Sequence, residues 1–278
     1  MAKSSGEAKP ADFMAVARRA VEEAIGEKLN GSPSALLLVP AMILALSTVH
    51  GAQKGMHYAL ESSAGLRLHN VTAEPAMLHG KKGLRVTMSE AAQRQFEAMT
   101  AEERDRATKV GDTVEQLAVI EGLEFGNGVI EAEVSGAPRP GAFEGARGFV
   151  GIAFRLQNDM RTYDAFYLRP TNGRADDQVR RNHSAQYISH PSWTWFRFRT
   201  ETPEKYESYV DLVPGEWTKV KIEIRGTQAR LYVHDHTQPT LIINDVKTAA
   251  NAKGSIALWL DVGTEAHFRN LTVTPGAE

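Results

Sequence analysis

Four side chains between residues 176 and 207 could move protons on a glycosidic bond: Asp176, Asp177, His183 and Glu207. Such a cleavage calls for two groups in different environments, one giving a proton and one taking it. Adjacent residues usually point apart, so Asp176 and Asp177 compete for one role, and either could instead pair with a nearby arginine. A histidine titrates close to neutral pH, so His183 or His190 could act as the base.

The same stretch holds what a ligand would need. Five of the seven tyrosines fall between Arg147 and Trp217, among seven arginines from Arg161 to Arg199. Aromatic faces cover the C–H face of a sugar ring, while arginine, asparagine and aspartate satisfy its hydroxyls. The candidate contacts are Arg155, Tyr167, Arg169, Asn172, Arg181, Tyr187 and His190, with Trp193 and Trp195 for stacking. The expected partner is an oligosaccharide or polysaccharide. An ordinary solvated sheet face with a structured crossover loop would carry similar residues, so the aromatic and arginine pattern alone leaves both readings open.

Strands have to position these groups. From Leu66 onward, short apolar runs alternate with Gly, Pro, Asn and Asp. The expected strands are Leu66–Thr72, Gly83–Met88, Glu115–Ile120, Gly128–Val134, Phe149–Leu156, Tyr163–Arg169, Tyr206–Leu212, Trp217–Arg225, Ala229–His234, Leu241–Asn244, Gly254–Leu260 and Ala266–Val273. In the segment Lys219–Arg225, Val220, Ile222 and Ile224 share one face and the charged residues the other, the period-2 mark of an antiparallel sheet packed on one side. Gly226-Thr227 reads as a tight hairpin turn. Alternation puts Tyr163, Ala165, Tyr167 and Arg169 on one face, and Gly151, Ala153 and Arg155 on one face of the strand before it. Small residues beside an arginine suit the floor of a groove, and the loop from Pro170 to Arg199 could fold over it. Ser89 to Lys109 is rich in helix formers, and Thr100-Ala-Glu-Glu103 is a capping-box pattern, so a helical insertion is expected there. The sum is an all-β, two-sheet antiparallel jelly-roll sandwich with a short helical insertion.

Composition narrows the function classes. The formal charge is −2 and the pI about 6.5, against the basic excess of a nucleic-acid surface. With no cysteine, disulfides, thiolate zinc sites and thiol nucleophiles are excluded. No phosphate loop is present, and no cofactor or metal is expected. His234-Asp235-His236 is the weak exception as a metal candidate. Glu131 and Glu133 are two apart on one strand, the spacing for convergent carboxylates, but the third carboxylate of the sandwich β-glucanase pattern is missing, and a solvated strand face is the expected reading.

Residues 1 to 53 differ from the remainder, 54 to 278, which is expected to form the sandwich. Ala35 to Leu46 is a twelve-residue apolar run followed by Gly51-Ala52, which suits a signal segment cleaved there better than a membrane span. The preceding stretch balances five basic residues with five acidic ones, so an amphipathic helix with a short membrane anchor is the alternative. The expected location is extracytoplasmic: periplasmic or secreted, with membrane attachment through this segment as a variant.

The order FVGIAFR, FYLRPTNG, PGEWTKVKIEIRGTQARLYV, GSIALWL, HFRNLTV resembles concanavalin A-like (laminin G-like) sandwiches. Within them it is most similar to bacterial 3-keto-disaccharide hydrolase and family-16-like domains. The resemblance covers about residues 66 to 274. It implies a jelly roll whose concave sheet binds sugars, with Arg155, Tyr167 and Arg169 at groove-lining positions, and in some members cleavage of glycosidic bonds. The expectation is therefore an exported glycoside hydrolase acting on a 3-keto-disaccharide type of substrate. Its rivals are a non-catalytic carbohydrate-binding or adhesion module and a structural envelope protein.

Overall fold

In the computed structural model, residues 55–276 are described. The signal-like segment and its expected cleavage point lie outside them. Among the described residues no helix is long and apolar enough to cross a membrane.

The described residues begin with β1 (Met56–Tyr58), β2 (Leu66–His69), β3 (Val71–Leu78) and β4 (Lys81–Met88). Two helices follow, α1 (Glu90–Ala98) and α2 (Ala101–Val110), and then β5 (Leu117–Ile120), β6 (Gly128–Pro138), β7 (Val150–Leu156) and β8 (Tyr163–Leu168). Short helices α3 (Pro170–Gly173) and α4 (Gln178–Asn182) lead to β9 (Ala185–His190), α5 (Trp195–Glu201) and β10 (Glu207–Ser208). The fold closes with β11 (Thr218–Arg225), β12 (Gln228–Val233), β13 (Leu241–Ile243), β14 (Ser255–Leu260) and β15 (Thr264–Pro275).

Two antiparallel sheets result. One runs β13-β12-β11-β6-β15-β4-β3, with β1 paired to β15, and the other runs β10-β9-β8-β7-β14-β5-β2. This is the all-β jelly-roll sandwich expected. Between the sheets lies one core, including Leu84, Val134, Ile152, Phe154, Phe166, Leu258 and Phe268. Alternation fails to show in β7 and β8, where every residue is buried. Strands read this way when both faces are covered. A second apolar cluster on the other face of the seven-stranded sheet, holding Ala153, Tyr163, Ala165, Tyr167, Ile188 and Trp259, supplies the second cover. That face carries the site.

Four local expectations need correcting. The stretch Pro170–Arg199 is not a loop: it holds β9, which pairs Tyr163 with His190 and Leu168 with Ala185. The expected strand Tyr206–Leu212 shrinks to Glu207–Ser208. The helical insertion breaks in two because Thr100 caps α2, with both halves of the capping box formed. Leu66–Thr72 is likewise two strands, divided where Asn70 turns through φ 59°. The Gly226-Thr227 hairpin forms as expected, pairing Arg225 with Gln228.

Two glycines set the approach of elements to the site. At Gly111, φ 71° ends α2, and a Cβ there would lie 2.1 Å from the Pro191 carbonyl oxygen, so glycine brings the helix end against the chain after His190. At Gly151, a Cβ would lie 2.6 Å from that of Tyr167, so its absence lets the Tyr167 side chain lie across the sheet.

Arg155 breaks the alternation. Its φ is 54°, and the β14–β7 register shifts between Ser255 and Ala257. The side chain turns into a fully buried nest, donating to Gly126 O, Gly226 O, Ala249 O, Asn127 Oδ1 and Thr248 Oγ1. Removing it would strand those acceptors without water, so Arg155→Ala should cost about 3 kcal/mol or more, read as a lower Tm in calorimetry.

Candidate functional site

A cavity of about 560 Å³ opens over the outer face of the seven-stranded sheet. Its floor is Tyr167, Ile188 and Trp259; α1 and α2 contribute Phe96 and Thr108 to one wall, and Phe149, Asn172 and Trp195 stand on others. Tyr167 lies 4.7 Å from Trp259 and 5.7 Å from Phe149, ring centre to ring centre, making a continuous aromatic surface.

Glu115, just before β5, anchors the polar chemistry. It is buried and accepts from the Tyr163 hydroxyl and, at 2.7 Å, from Thr113 Oγ1. His190 Nδ1 lies 3.1 Å away. Burial pushes the Glu115 carboxyl up, but the charge His190 carries when protonated, with the hydrogen bonds of His190, Tyr163 and Thr113, outweighs it and holds the carboxyl below its ordinary value. When the imidazole is neutral, the carboxylate at Nδ1 favours the tautomer with its proton there, which leaves Nε2 of His190 as the acceptor. The ring is fixed further by stacking on Tyr163, centroids 5.1 Å apart at 14°. Tyr163 is itself held by Trp259, whose Nε1 donates to its hydroxyl at 3.0 Å.

Arg169 follows β8 directly and is 4% exposed. Its Nη2 donates to the Tyr167 hydroxyl at 2.6 Å and to Gln186 Oε1 at 3.2 Å, while its Nε is buried without a partner. The guanidinium sits among Phe149, Tyr167 and Trp195, 4.8, 5.2 and 5.7 Å from their ring centres. Asp261, following β14, lines the same cavity. Burial in the concavity drives its carboxyl up, and Glu115 adds to this, against the Val262 backbone N–H, Arg169 and His190; the result is about 6. Although the residue keeps some solvent contact, its carboxyl is deep enough for burial to prevail.

This has a consequence for stability. A carboxyl that titrates at about 6 when folded, against 3.8 ordinarily, binds its proton more tightly in the folded state. Stability should therefore fall as pH rises from about 4 to about 6. Asp261→Asn should raise the Tm at pH 7 and leave it unchanged at pH 3.5, below both values, as followed by thermal melts.

His183 and Glu207 form a neighbouring cluster. Glu207 is buried, and Arg199 grips it with Nε at 2.9 Å and Nη2 at 2.8 Å from Oε2. His183 Nδ1 is 2.8 Å from the same oxygen, though its geometry falls short of a directed hydrogen bond. Burial and then Arg199 lower the His183 pKa, against the pull of Glu207. Glu207 is occupied behind the cavity wall, while His183 faces the cavity.

Of the residues singled out from sequence, the cavity brings together Tyr167, Arg169, Asn172, His183, His190 and Trp195. The others lie elsewhere. Asp176 and Asp177 are exposed, and Asp177 caps α4 by accepting from the Arg180 backbone N–H at 2.9 Å. Arg181 donates to Tyr209. Tyr187 points into the core between the sheets, bonded to Asp164, and Trp193 stacks on Phe198 under Arg197. Arg155 is in its nest. Glu131 is exposed and Glu133 pairs with Lys81 on the eight-stranded sheet; His234 and Asp235 are engaged by Asp211 O and Lys219. Sequence reasoning missed Glu115, Asp261, Phe149 and Trp259. For Glu115 and Asp261 the sequence carries no signal, because each sits just outside a strand end in an unremarkable loop.

Residues 94–274 match the model of a family described as the 3-keto-alpha-glucoside-1,2-lyase-like domain. No curated protein matches the chain. Similar solved structures include the carbohydrate binding module CBM66 from Bacillus subtilis (TM-score 0.46, 11% identity, 74% of this chain and 93% of that one). A Bacillus subtilis protein of unknown function with a galectin-like fold gives a TM-score of 0.43 at 12% identity over 79% of this chain and 94% of that one. A Bacillus licheniformis β-glucanase gives 0.41 at 13% identity, over 80% and 98%.

Proposed function

Because the chain belongs to the 3-keto-alpha-glucoside-1,2-lyase-like family, we propose that it cleaves 3-keto glycosides by eliminating the aglycone across C1 and C2. A ketone at C3 acidifies the proton on C2. His190 Nε2 takes that proton, and the electron pair of the C–H bond moves to the C3 oxygen as an enolate. Arg169, buried and with an unpartnered Nε, stabilises that oxygen. As the enolate collapses, C1=C2 forms, the C3 ketone returns and the C1–O bond breaks. Asp261, whose carboxyl holds its proton up to about pH 6, donates to the leaving oxygen. The products are a 1,2-unsaturated 3-keto sugar and the free alcohol. Glu115 is a positioning residue that acts through His190.

The observation that carries this reading is a single one: an imidazole paired with a buried carboxylate, a second, raised carboxyl and a buried arginine line the same cavity. The aromatic floor supports a sugar ring as the ligand. The test compares nitrophenyl 3-keto-α-glucoside with the unoxidised nitrophenyl α-glucoside. Release of nitrophenol from the keto substrate alone is expected. Comparable release from both would point to direct hydrolysis, and binding without release would make the chain a carbohydrate-binding module.

A further inference from the structure

The charge around the cavity is unbalanced. The whole chain carries a formal −2, yet five arginines line this one concavity: Arg104, Arg147, Arg169, Arg180 and Arg199. Among the described residues, Arg199 alone of these is neutralised by a close carboxylate, through Glu207. Of the three carboxylates in the lining, Asp105 pairs with Lys109 at 2.7 Å and Glu115 with His190 at 3.1 Å. Asp261 remains, and it is partly protonated near pH 6.

Two of the arginines, both exposed, stand either side of Thr171 on one wall. Arg180 Nη2 reaches Asn172 Oδ1 at 3.4 Å and Thr171 O at 3.5 Å, and the Thr171 hydroxyl donates to the Arg147 carbonyl at 3.1 Å. Arg147 Nη1 donates only to main-chain oxygens, those of Glu144 and Ala146. Among the described residues neither side chain forms an ion pair. Deeper in, Arg169 keeps its buried Nε without an acceptor. A guanidinium presents a planar fork of donors that matches a carboxylate. From the Arg147–Arg180 wall, which has no ion pair, we propose that the cavity selects glycosides bearing a carboxylate, which the wall arginines hold while the sugar lies on the aromatic floor and Arg169 remains for the C3 oxygen. This rests on the cavity being a sugar-processing site and specifies its substrate class.

The carboxylate could belong to the sugar or to the aglycone, and calorimetry on the full chain separates the two. The probes are methyl α-glucuronide, 4-carboxyphenyl α-glucoside and, as neutral references, methyl α-glucoside and phenyl α-glucoside. One acidic probe should bind about tenfold tighter than its neutral partner. That preference should disappear in the Arg147→Gln/Arg180→Gln variant and shrink at high salt. A preference for the glucuronide places the acid on the ring, and one for the carboxyphenyl glucoside places it on the leaving group. Equal affinities for acidic and neutral probes, or a preference unchanged in the variant, would overturn the proposal. Cleavage of neutral nitrophenyl 3-keto-α-glucoside by the wild type reports separately on the elimination reading. Cleavage without acid preference removes only the present inference; acid preference without cleavage removes only the catalytic one.

Discussion

His190→Asn should lower kcat for a 3-keto glycoside by about 10²–10⁴-fold, the usual worth of a positioned proton acceptor, and leave binding nearly unchanged. Asparagine retains a polar group near the Nδ1 position but has no basic nitrogen where Nε2 stood. The side chain contributes two things at once: it pairs with Glu115 at 3.1 Å and it offers Nε2 to the cavity. A purely structural role would move Tm through the first of these and leave the kcat of the folded enzyme nearly unchanged, because losing the imidazole deprives a buried carboxylate of its partner. Glu115→Gln separates the possibilities. It keeps the hydrogen-bonding shape but no longer fixes the proton on Nδ1, so it should also reduce kcat, by less than His190→Asn, with KM little changed. The measurements are steady-state kinetics with thermal melts alongside; a drop in Tm without a drop in kcat would assign His190 to the scaffold.

Arg169→Met is expected to have the second largest effect, about 10²–10³-fold in kcat, the range for removing one donor from a developing oxyanion. Methionine fills similar space among Phe149, Tyr167 and Trp195 but brings no charge. The arginine has no close carboxylate partner among the described residues, so its burial is not repaid by an ion pair, and its Nε is left bare. Holding a desolvated cation in that state is unfavourable for folding, and it is intelligible if the cation awaits negative charge that appears only during reaction. The Tm should consequently change little, since the lost bonds to Tyr167 and Gln186 are offset by relief of the buried charge. A large fall in Tm with an equal loss of kcat and binding would mean that Arg169 is a packing element.

The alternation of Lys219–Arg225, the Gly226-Thr227 turn and the Thr100 capping box were legible because each depends on neighbouring residues alone. So was the shared face of Tyr163, Tyr167 and Arg169, since side chains two apart along a strand lie on one side even where both sides are covered. Arg155 was misplaced because a positive φ and a register shift, which the residue pattern does not announce, rotate it off that face. Ala185–His190 is hidden among helical and turn residues, and its pairing with β8 and β10 makes it a strand. Once paired, it delivers His190 to Glu115, a contact spanning 75 residues of sequence. Asp176 and Asp177 attracted notice by being adjacent, whereas the carboxyls that reach the cavity, Glu115 and Asp261, are brought there by the ends of β5 and β14. Their surroundings then do what no sequence pattern records: His190, Tyr163 and Thr113 hold Glu115 down against burial, while burial raises Asp261 to about 6.

The central claim is that the C2 proton leaves before the glycosidic bond breaks. The most direct measurement is turnover of a 3-keto glycoside carrying deuterium at C2, with the sugar product examined by mass spectrometry and NMR at early times. Elimination predicts a primary isotope effect on kcat and loss of the C2 deuterium from the initial product, both abolished together with activity in His190→Asn. Retention of the deuterium in the released sugar at full turnover would show that the bond is hydrolysed directly, and would contradict the account.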